Sequence, residues 1–368
     1  MPPPFARKPM PDRILLAEQL RAWRHQVAAR ITDEFLVRHP DWVIRYGDRA
    51  RHFGVEDAVY HQEFLAAAIE SGEPTAFASY LGWTAGVLGA RGISQAALRE
   101  TVDQISVELQ SMLAPAPAAD LAAFIAASLQ ESPLGAAALA ATAGSGSGGI
   151  PCAITRDGAL SSVQSLFLQA ILRGHRDAAV LVAVESVRQG HPIADVYSGV
   201  LQESMYEVGR LWETNRITVA QEHMATAITQ YVIAHLYPLI PTSSVQRGRM
   251  VITGVEGEQH QVGPNIIADV LECAGWDVRF LGTNTPIVGV LQAIEEHRAD
   301  VLGISATMLF NIPNVRRLIA RAQALPNRNL RVILGGSAFR AAPEIYKELG
   351  AVGVALDVSS ALQLASTL

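Results

Sequence analysis

The stretch Met250-Val251-Ile252-Thr253-Gly254-Val255, followed by Glu258-Gln259-His260-Gln261-Val262-Gly263, decides the reading of the last third of the chain. The first six residues are apolar and β-branched, as a buried strand requires, and the run from Ile266 to Ala274 has helical spacing. The imidazole of His260 therefore sits on the loop at the C-terminal end of a first strand, where open α/β sheets place their ligands. Glu258, two positions earlier, can take the other ring proton and fix the tautomer, as carboxylates behind metal-ligating histidines do. By themselves these residues read more readily as a solvated or structural loop pair.

The downstream sequence decides between the two. Four further short apolar runs succeed one another: Val278 to Thr283, Val301 to Thr307, Val332 to Gly336 and Val352 to Leu356. Helical patterns of about ten to fifteen residues separate them, which predicts five parallel strands in βα units. Ser305-Ala306-Thr307 and Gly335-Gly336 fall at the ends of two of these strands.

With Glu258, His260 and Gly263, these residues resemble the cobalamin-binding domain of methionine synthases, corrinoid carrier proteins, base-off mutases and cobalamin photoreceptors. The resemblance covers residues 249–368 and implies a flavodoxin-like, Rossmann-type α/β domain. It also implies that His260 is the lower axial ligand of cobalt in place of the nucleotide base. The small residues Gly263, Ser305, Gly335 and Gly336, with Thr307, would then line the slot for the displaced nucleotide tail, where close backbone approach is needed.

Upstream, residues 158–242 carry apolar residues at helical spacing: Leu166, Ile171, Val180 to Val187, Val196, Val200, Leu201, Ile228, Val232 and Leu236. This predicts a four-helix bundle, in the position of the cap that covers the upper corrin face. Trp212 with Glu222-His223 forms Trp-x9-Glu-His, which is similar to the cap signature of adenosylcobalamin-dependent light-responsive repressors. The resemblance implies that Trp212, Val219 and Glu222 surround an adenosyl group, with His223 beside them. An adenosyl ligand presents a ribose and a purine, which need a flat partner and hydrogen-bonding groups. In those repressors a His follows the Trp and takes the upper cobalt position after illumination; Glu213 stands there in this chain.

Residues 133–157 include LGAAALAATAGSGSGGI, an Ala/Gly/Ser-rich tract whose small residues cannot bury enough surface to hold one conformation, and they read as a linker. Before it, residues 11–132 are helical by pattern. Leu16, Leu20, Trp23, Val27, Ile31 and Phe35 recur every three or four positions, and Gly54, Gly72-Glu73-Pro74, Gly92 and Pro115 to Pro117 punctuate the rest. Six or so helices around one core predict an all-α, globin-like arrangement with no helix-turn-helix signature. Its densest polar cluster runs from Arg38 to His52, with Asp57, Tyr60 and His61 beyond. Arg45, Tyr46, Asp48, Arg49, His52 and His61 supply cations, an acceptor and aromatic surface for a linear tetrapyrrole. The same residues read as a charged helical face, and His39, His52 or His61 as a heme ligand.

Taken together the modules resemble the photocobilins, photoreceptors that bind adenosylcobalamin and biliverdin. The resemblance implies a light sensor rather than an enzyme: light would cleave the cobalt–carbon bond, the cap would move, and the change would pass to a homo-oligomer or to an unknown downstream protein. With no Cys before Cys152, any bilin in the first domain is non-covalent. The alternatives are a corrinoid carrier for a methyltransferase system and a cobalamin module joined to a heme globin.

Composition narrows the partners. A formal charge of −6, with no dense Lys/Arg tract, argues against direct nucleic-acid binding. The N-terminus MPPPFARKPMP breaks any signal-peptide core and no run reaches a membrane span, so a cytoplasmic protein is expected. Cys152 and Cys273, the only cysteines, support neither a disulfide framework nor a Cys-based metal site.

Overall fold

The computed structural model describes residues 8–135, 160–241, 243–326 and 329–368. Most of the predicted linker, together with Cys152 and the first seven residues, lies outside them. The chain divides into two compact units, Met1–Gly148 and Gly149–Leu368.

Among the described residues the first unit has six helices: α1 (Met10–Arg38), α2 (Pro40–Tyr46), α3 (Arg49–Ser71), α4 (Pro74–Gly89), α5 (Gln95–Met112) and α6 (Pro115–Glu131). Their ends follow from local chemistry. His39 precedes a proline and leaves the helical region at φ −123°, ψ 67°, which separates α1 from α2. Gly72 closes α3 in the left-handed conformation, and the Ser94 side chain caps α5 by accepting from Ala97 N–H. Leu16, Leu20, Val27, Ile31 and Phe35 form the buried stripe of α1, which packs chiefly on α3.

One expected break is absent. Gly54 lies inside α3, where a Cβ would stand 2.8 Å from Thr32 Cγ2 of α1. It lets two helices approach closely and ends neither. The all-helical character agrees with the sequence pattern, whereas a globin-like arrangement has no support beyond that pattern.

The second unit begins with the bundle: α7 (Ser161–Leu172), α8 (Arg176–Arg188), α9 (Glu203–Glu213) and α10 (Val219–Leu236). One helical turn, Ile193–Asp195, and a π-helical segment, Val196–Gln202, lead into α9. Phe167, Ile171, Ala179, Ala183, Val196, Val200, Leu201, Ile228, Val232 and Leu236 pack its core. Two apolar expectations turn outward: Leu166 is 55% exposed and Leu181, inside the Val180 to Val187 run, is 61% exposed. A continuous apolar run on a helix of period 3.6 must point some members at solvent; the small Ala179 and Ala183 hold the contact instead.

The sheet comprises β1 (Gly248–Gly254), β2 (Trp276–Phe280), β3 (Val301–Ser305), β4 (Arg331–Gly335) and β5 (Gly353–Ala355), all parallel in the order β2-β1-β3-β4-β5. Helices α11 (Val262–Cys273), α12 (Ile287–His297) and α13 (Ile312–Gln323) join the first four strands in turn, two short helices, Ala338–Ala341 and Ile345–Glu348, lie between β4 and β5 in place of the longer helix expected there, and α14 (Val358–Ser366) follows β5. All five residues of β3 are buried, so the strand is uniformly apolar rather than alternating, as in sheets covered on both faces. This is the flavodoxin-like strand order, whose direction reverses between β1 and β3; that reversal is the topological switch point where such folds bind ligands. In register, Gly254 ends β1 opposite Ser305 of β3, and Ser305 stands opposite Gly335 of β4. Three strand ends are thus level at one edge.

The turn after β4 admits only glycine. Gly336 has φ +100°, and a Cβ on it would lie 2.3 Å from the Ala306 carbonyl oxygen. Because backbone is the obstacle, Gly336→Ala is expected to lower stability by about 2 kcal/mol or more, measurable by urea unfolding.

Candidate metal centre at the sheet edge

The loops that leave β1 and β3 converge at the switch point. Glu258 comes from the first and is fully buried. Its Oε1 accepts from the backbone N–H groups of Gln259 and His260, both at 3.0 Å, and from His260 Nδ1 at 2.5 Å. Its Oε2 accepts from Thr307 N–H at 2.6 Å and from Asn311 Nδ2 at 3.1 Å, both beyond β3. Five donors surround one carboxylate. Burial pushes this carboxyl up, but the ring and backbone donors of His260, its charge and the Thr307 N–H outweigh that and hold it at about 2.

The consequence for pH has a definite sign. A carboxyl depressed in the folded state stabilises above its ordinary value of 4.5 and loses that contribution as pH falls toward about 2. Urea midpoints of the wild-type protein should therefore fall across that window, and Glu258→Gln should flatten the fall.

The geometry fixes the imidazole. With Nδ1 held by Glu258, Nε2 is the ring nitrogen left without that contact, and the His260 side chain is 54% exposed. Among the described residues no three His, Cys, Asp or Glu side chains gather to hold a bare metal ion. One oriented imidazole on an open edge fits a metal whose remaining ligands arrive with a macrocycle.

The other expected residues lie around this point. Ser305 is buried at the end of β3, and Thr307 contributes its backbone N–H to Glu258. Gly335 lies where a Cβ would come 3.0 Å from the Ala355 carbonyl oxygen. A Cβ on Gly263, in the first turn of α11, would meet nothing within 4 Å, which leaves room for a ligand. The sequence reading misses Asn311. Its signal is a lone amide in the apolar run Leu309-Phe310-Asn311-Ile312, and its buried position against Glu258 explains it.

In the bundle, Trp212 is half-buried near the end of α9 and Val219 is 55% exposed at the start of α10. A capping box, in which Thr218 Oγ1 accepts from Gln221 N–H and the Gln221 side chain accepts from Thr218 N–H, starts α10. That start places Glu222 and His223 in its first turns. Glu222 Oε2 accepts from His223 Nδ1 at 2.5 Å and its Oε1 from Thr226 at 3.0 Å, with the His223 ring 76% exposed. The expected residues of the bundle therefore fall on the junction between two consecutive helices.

The N-terminal set does not form one cluster. Arg45, Asp48, Arg49 and His52 are exposed, and the Arg45 guanidinium lies over the half-buried Tyr46 ring. Neighbours in the same stretch make ordinary ion pairs: Arg38 and His39 with Glu100, and Arg51 with Asp33. His61 is instead in the core, with Nδ1 2.6 Å from the Tyr80 hydroxyl, and burial pushes its ring down to about 4. Nine residues separate it from His52, which at about 100° per residue puts the two on opposite faces of α3.

Comparison with known proteins fits the second unit. Residues 248–365 match the B12 binding domain family, and residues 163–237 match a second family of the same description. Dimethylamine corrinoid protein 1 of Methanosarcina acetivorans is 30% identical over 171 residues, which are 46% of this chain and 80% of that protein. A corrinoid protein of Desulfitobacterium hafniense is 27% identical over 207 residues, 54% of this chain and 93% of its own. The solved monomethylamine corrinoid protein of Methanosarcina barkeri superposes with a TM-score of 0.51 at 20% identity, covering 57% of this chain and all of its own; it supports the fold. Among the described residues no helix is long and apolar enough to cross a membrane.

Proposed function

We propose that this chain, which belongs to the corrinoid proteins, holds a cobalamin with its nucleotide base displaced and His260 beneath the cobalt, and carries a one-carbon group on the upper face between partner proteins. The observation that carries this reading is the buried Glu258, which accepts from five donors and, through His260 Nδ1, holds the ring so that Nε2 is the nitrogen left to meet a metal. The likeness to dimethylamine corrinoid protein 1, named for a corrinoid and a methylated amine, supports a one-carbon group as the cargo. A bound corrinoid would supply cobalt chemistry able to take up and release a one-carbon group. Glu258 holds the Nδ1 proton and orients the ring, while the bundle excludes water from the opposite face and must give way to a partner.

A second reading rests on one specific group. Trp212, Val219, Glu222 and His223 offer a flat apolar surface and hydrogen-bonding groups, which an adenosyl ligand needs and a methyl group does not. The chain is then a photoreceptor for adenosylcobalamin in the manner of the photocobilins. Biliverdin would be held non-covalently by side chains among Arg45, Tyr46, Asp48, Arg49 and His52, and the output would be a light-dependent oligomer or a downstream protein.

Loading the full chain in the dark with methylcobalamin and separately with adenosylcobalamin separates the two. The carrier reading predicts stable retention of methylcobalamin and an unchanged mass on illumination. Preferential retention of adenosylcobalamin, with a mass that changes on illumination, favours the photoreceptor; a red-absorbing band with added biliverdin supports its second chromophore. A chain that retains neither cobalamin contradicts both.

A further inference from the structure

The bundle and the sheet domain share a buried polar bond that the metal centre does not use. Tyr197, fully buried in the π-helical segment Val196–Gln202, donates its hydroxyl to Asp269 Oδ2 at 2.5 Å, 72 residues away on α11. The surroundings are apolar: Ile266 and Val270 of α11, and Val358 of α14, belong to the same core as the bundle residues Val196, Val200 and Ile228. A hydroxyl and a carboxylate buried in such a place cost desolvation, and the loss of either partner leaves the other unsatisfied. Burial pushes the Asp269 carboxyl up to about 6, with nearby Glu272 adding and the Tyr197 hydroxyl opposing. The other titratable groups that face this seam are Glu272 and Cys273 on α11 and Tyr237 just after α10; the Tyr237 hydroxyl bonds to Glu272.

Two features give the bond a consequence for the metal centre. α11 begins two residues after His260 and carries Asp269 about two turns further on, so one helix joins the metal-ligating loop to the bundle. The partner segment is π-wound; single π turns inside helices recur at functional sites because they interrupt the regular ladder.

We infer that Tyr197 and Asp269 are positioning residues whose bond latches the bundle to α11 and so sets how readily small ligands reach the cobalt face opposite His260. The latch rests on the cobalamin reading only for its effect at cobalt; the bond itself is testable in the ligand-free chain.

The test compares Tyr197→Phe with the double variant Tyr197→Phe, Asp269→Leu, in which neither buried polar group is left alone. In the ligand-free full chain, hydrogen exchange of amides in 193–213 and in the second half of α11 should speed up at least about tenfold in Tyr197→Phe, while β3 and β4 keep their protection. The double variant, which also lacks the bond, should stay faster than wild type over these amides; full recovery would assign the loosening to the stranded carboxylate and overturn the latch. In chain loaded with hydroxocobalamin, substitution by cyanide should be about tenfold faster in Tyr197→Phe, with the imidazole signature at cobalt unchanged. Unchanged exchange overturns the latch, and so does loss of protection spread equally over β3 and β4, which marks a general loss of stability. Unchanged cyanide rates overturn its control of the upper face. If the wild-type chain retains no hydroxocobalamin, the cobalamin reading fails while the exchange experiment still decides the latch.

Discussion

Replacing His260 by alanine is expected to weaken cobalamin retention by about 100-fold or more while leaving the chain folded. Outer partners of metal-ligating histidines are worth about 10–100-fold in affinity, and the ligand itself should reach at least the upper end. The fold should survive because the ring is 54% exposed and surface substitutions cost about 0.5 kcal/mol or less. Glu258 also keeps the backbone N–H groups of Gln259, residue 260 and Thr307, and the Asn311 amide. The variant therefore separates ligation from stability. Equilibrium dialysis with hydroxocobalamin, together with a urea transition, checks both halves; wild-type retention in the variant would remove His260 from the site.

Glu258→Ala should behave in the opposite way and damage the fold first. Removing the carboxylate strands the Thr307 N–H, the Asn311 amide and two loop N–H groups around a small cavity. Each unsatisfied buried donor costs about 1–3 kcal/mol, so even with two of them reaching water the loss should be about 3 kcal/mol. The loop would also lose what orients His260, adding a further loss of affinity of about 10–100-fold. Glu258→Gln should lie between, because one amide oxygen can still accept while its NH2 faces donors. Urea unfolding of the three proteins orders them, and equal stability of wild type and Glu258→Ala would contradict the five-donor geometry.

Much of the second unit is legible in the sequence because backbone pattern and residue chemistry agree there. The apolar runs of β1, β3 and β4 foretell central strands buried on both faces, while the edge strand β2 alternates and exposes Asp277 and Arg279. Glu258 and His260 lie two apart on one loop, so their pairing is readable without the fold. Asn311 is not, because its meeting with Glu258 depends on β1 and β3 being neighbours. The same reason hides Tyr197 and Asp269, which meet across two modules. In the bundle, Leu166 reads as inner and is exposed, since neighbouring apolar residues on a helix face different ways and tertiary contact picks Phe167 instead. The N-terminal cluster shows the converse hazard. Arg45, His52 and His61 look like one binding set in sequence, but helical phase puts His52 in solvent and His61 against Tyr80. Charge density along a chain says little about which side chains share a surface.

The most direct measurement of the central claim is the electron paramagnetic resonance spectrum of the chain loaded with cob(II)alamin, made once with natural-abundance histidine and once with nitrogen-15 histidine. The unpaired electron of cobalt couples to its axial nitrogen, so ligation by His260 predicts that the triplet superhyperfine pattern becomes a doublet in the labelled protein and that this doublet is absent from labelled His260→Ala. A triplet that persists in the labelled protein would mean that the cofactor keeps its own base, and would contradict ligation by His260.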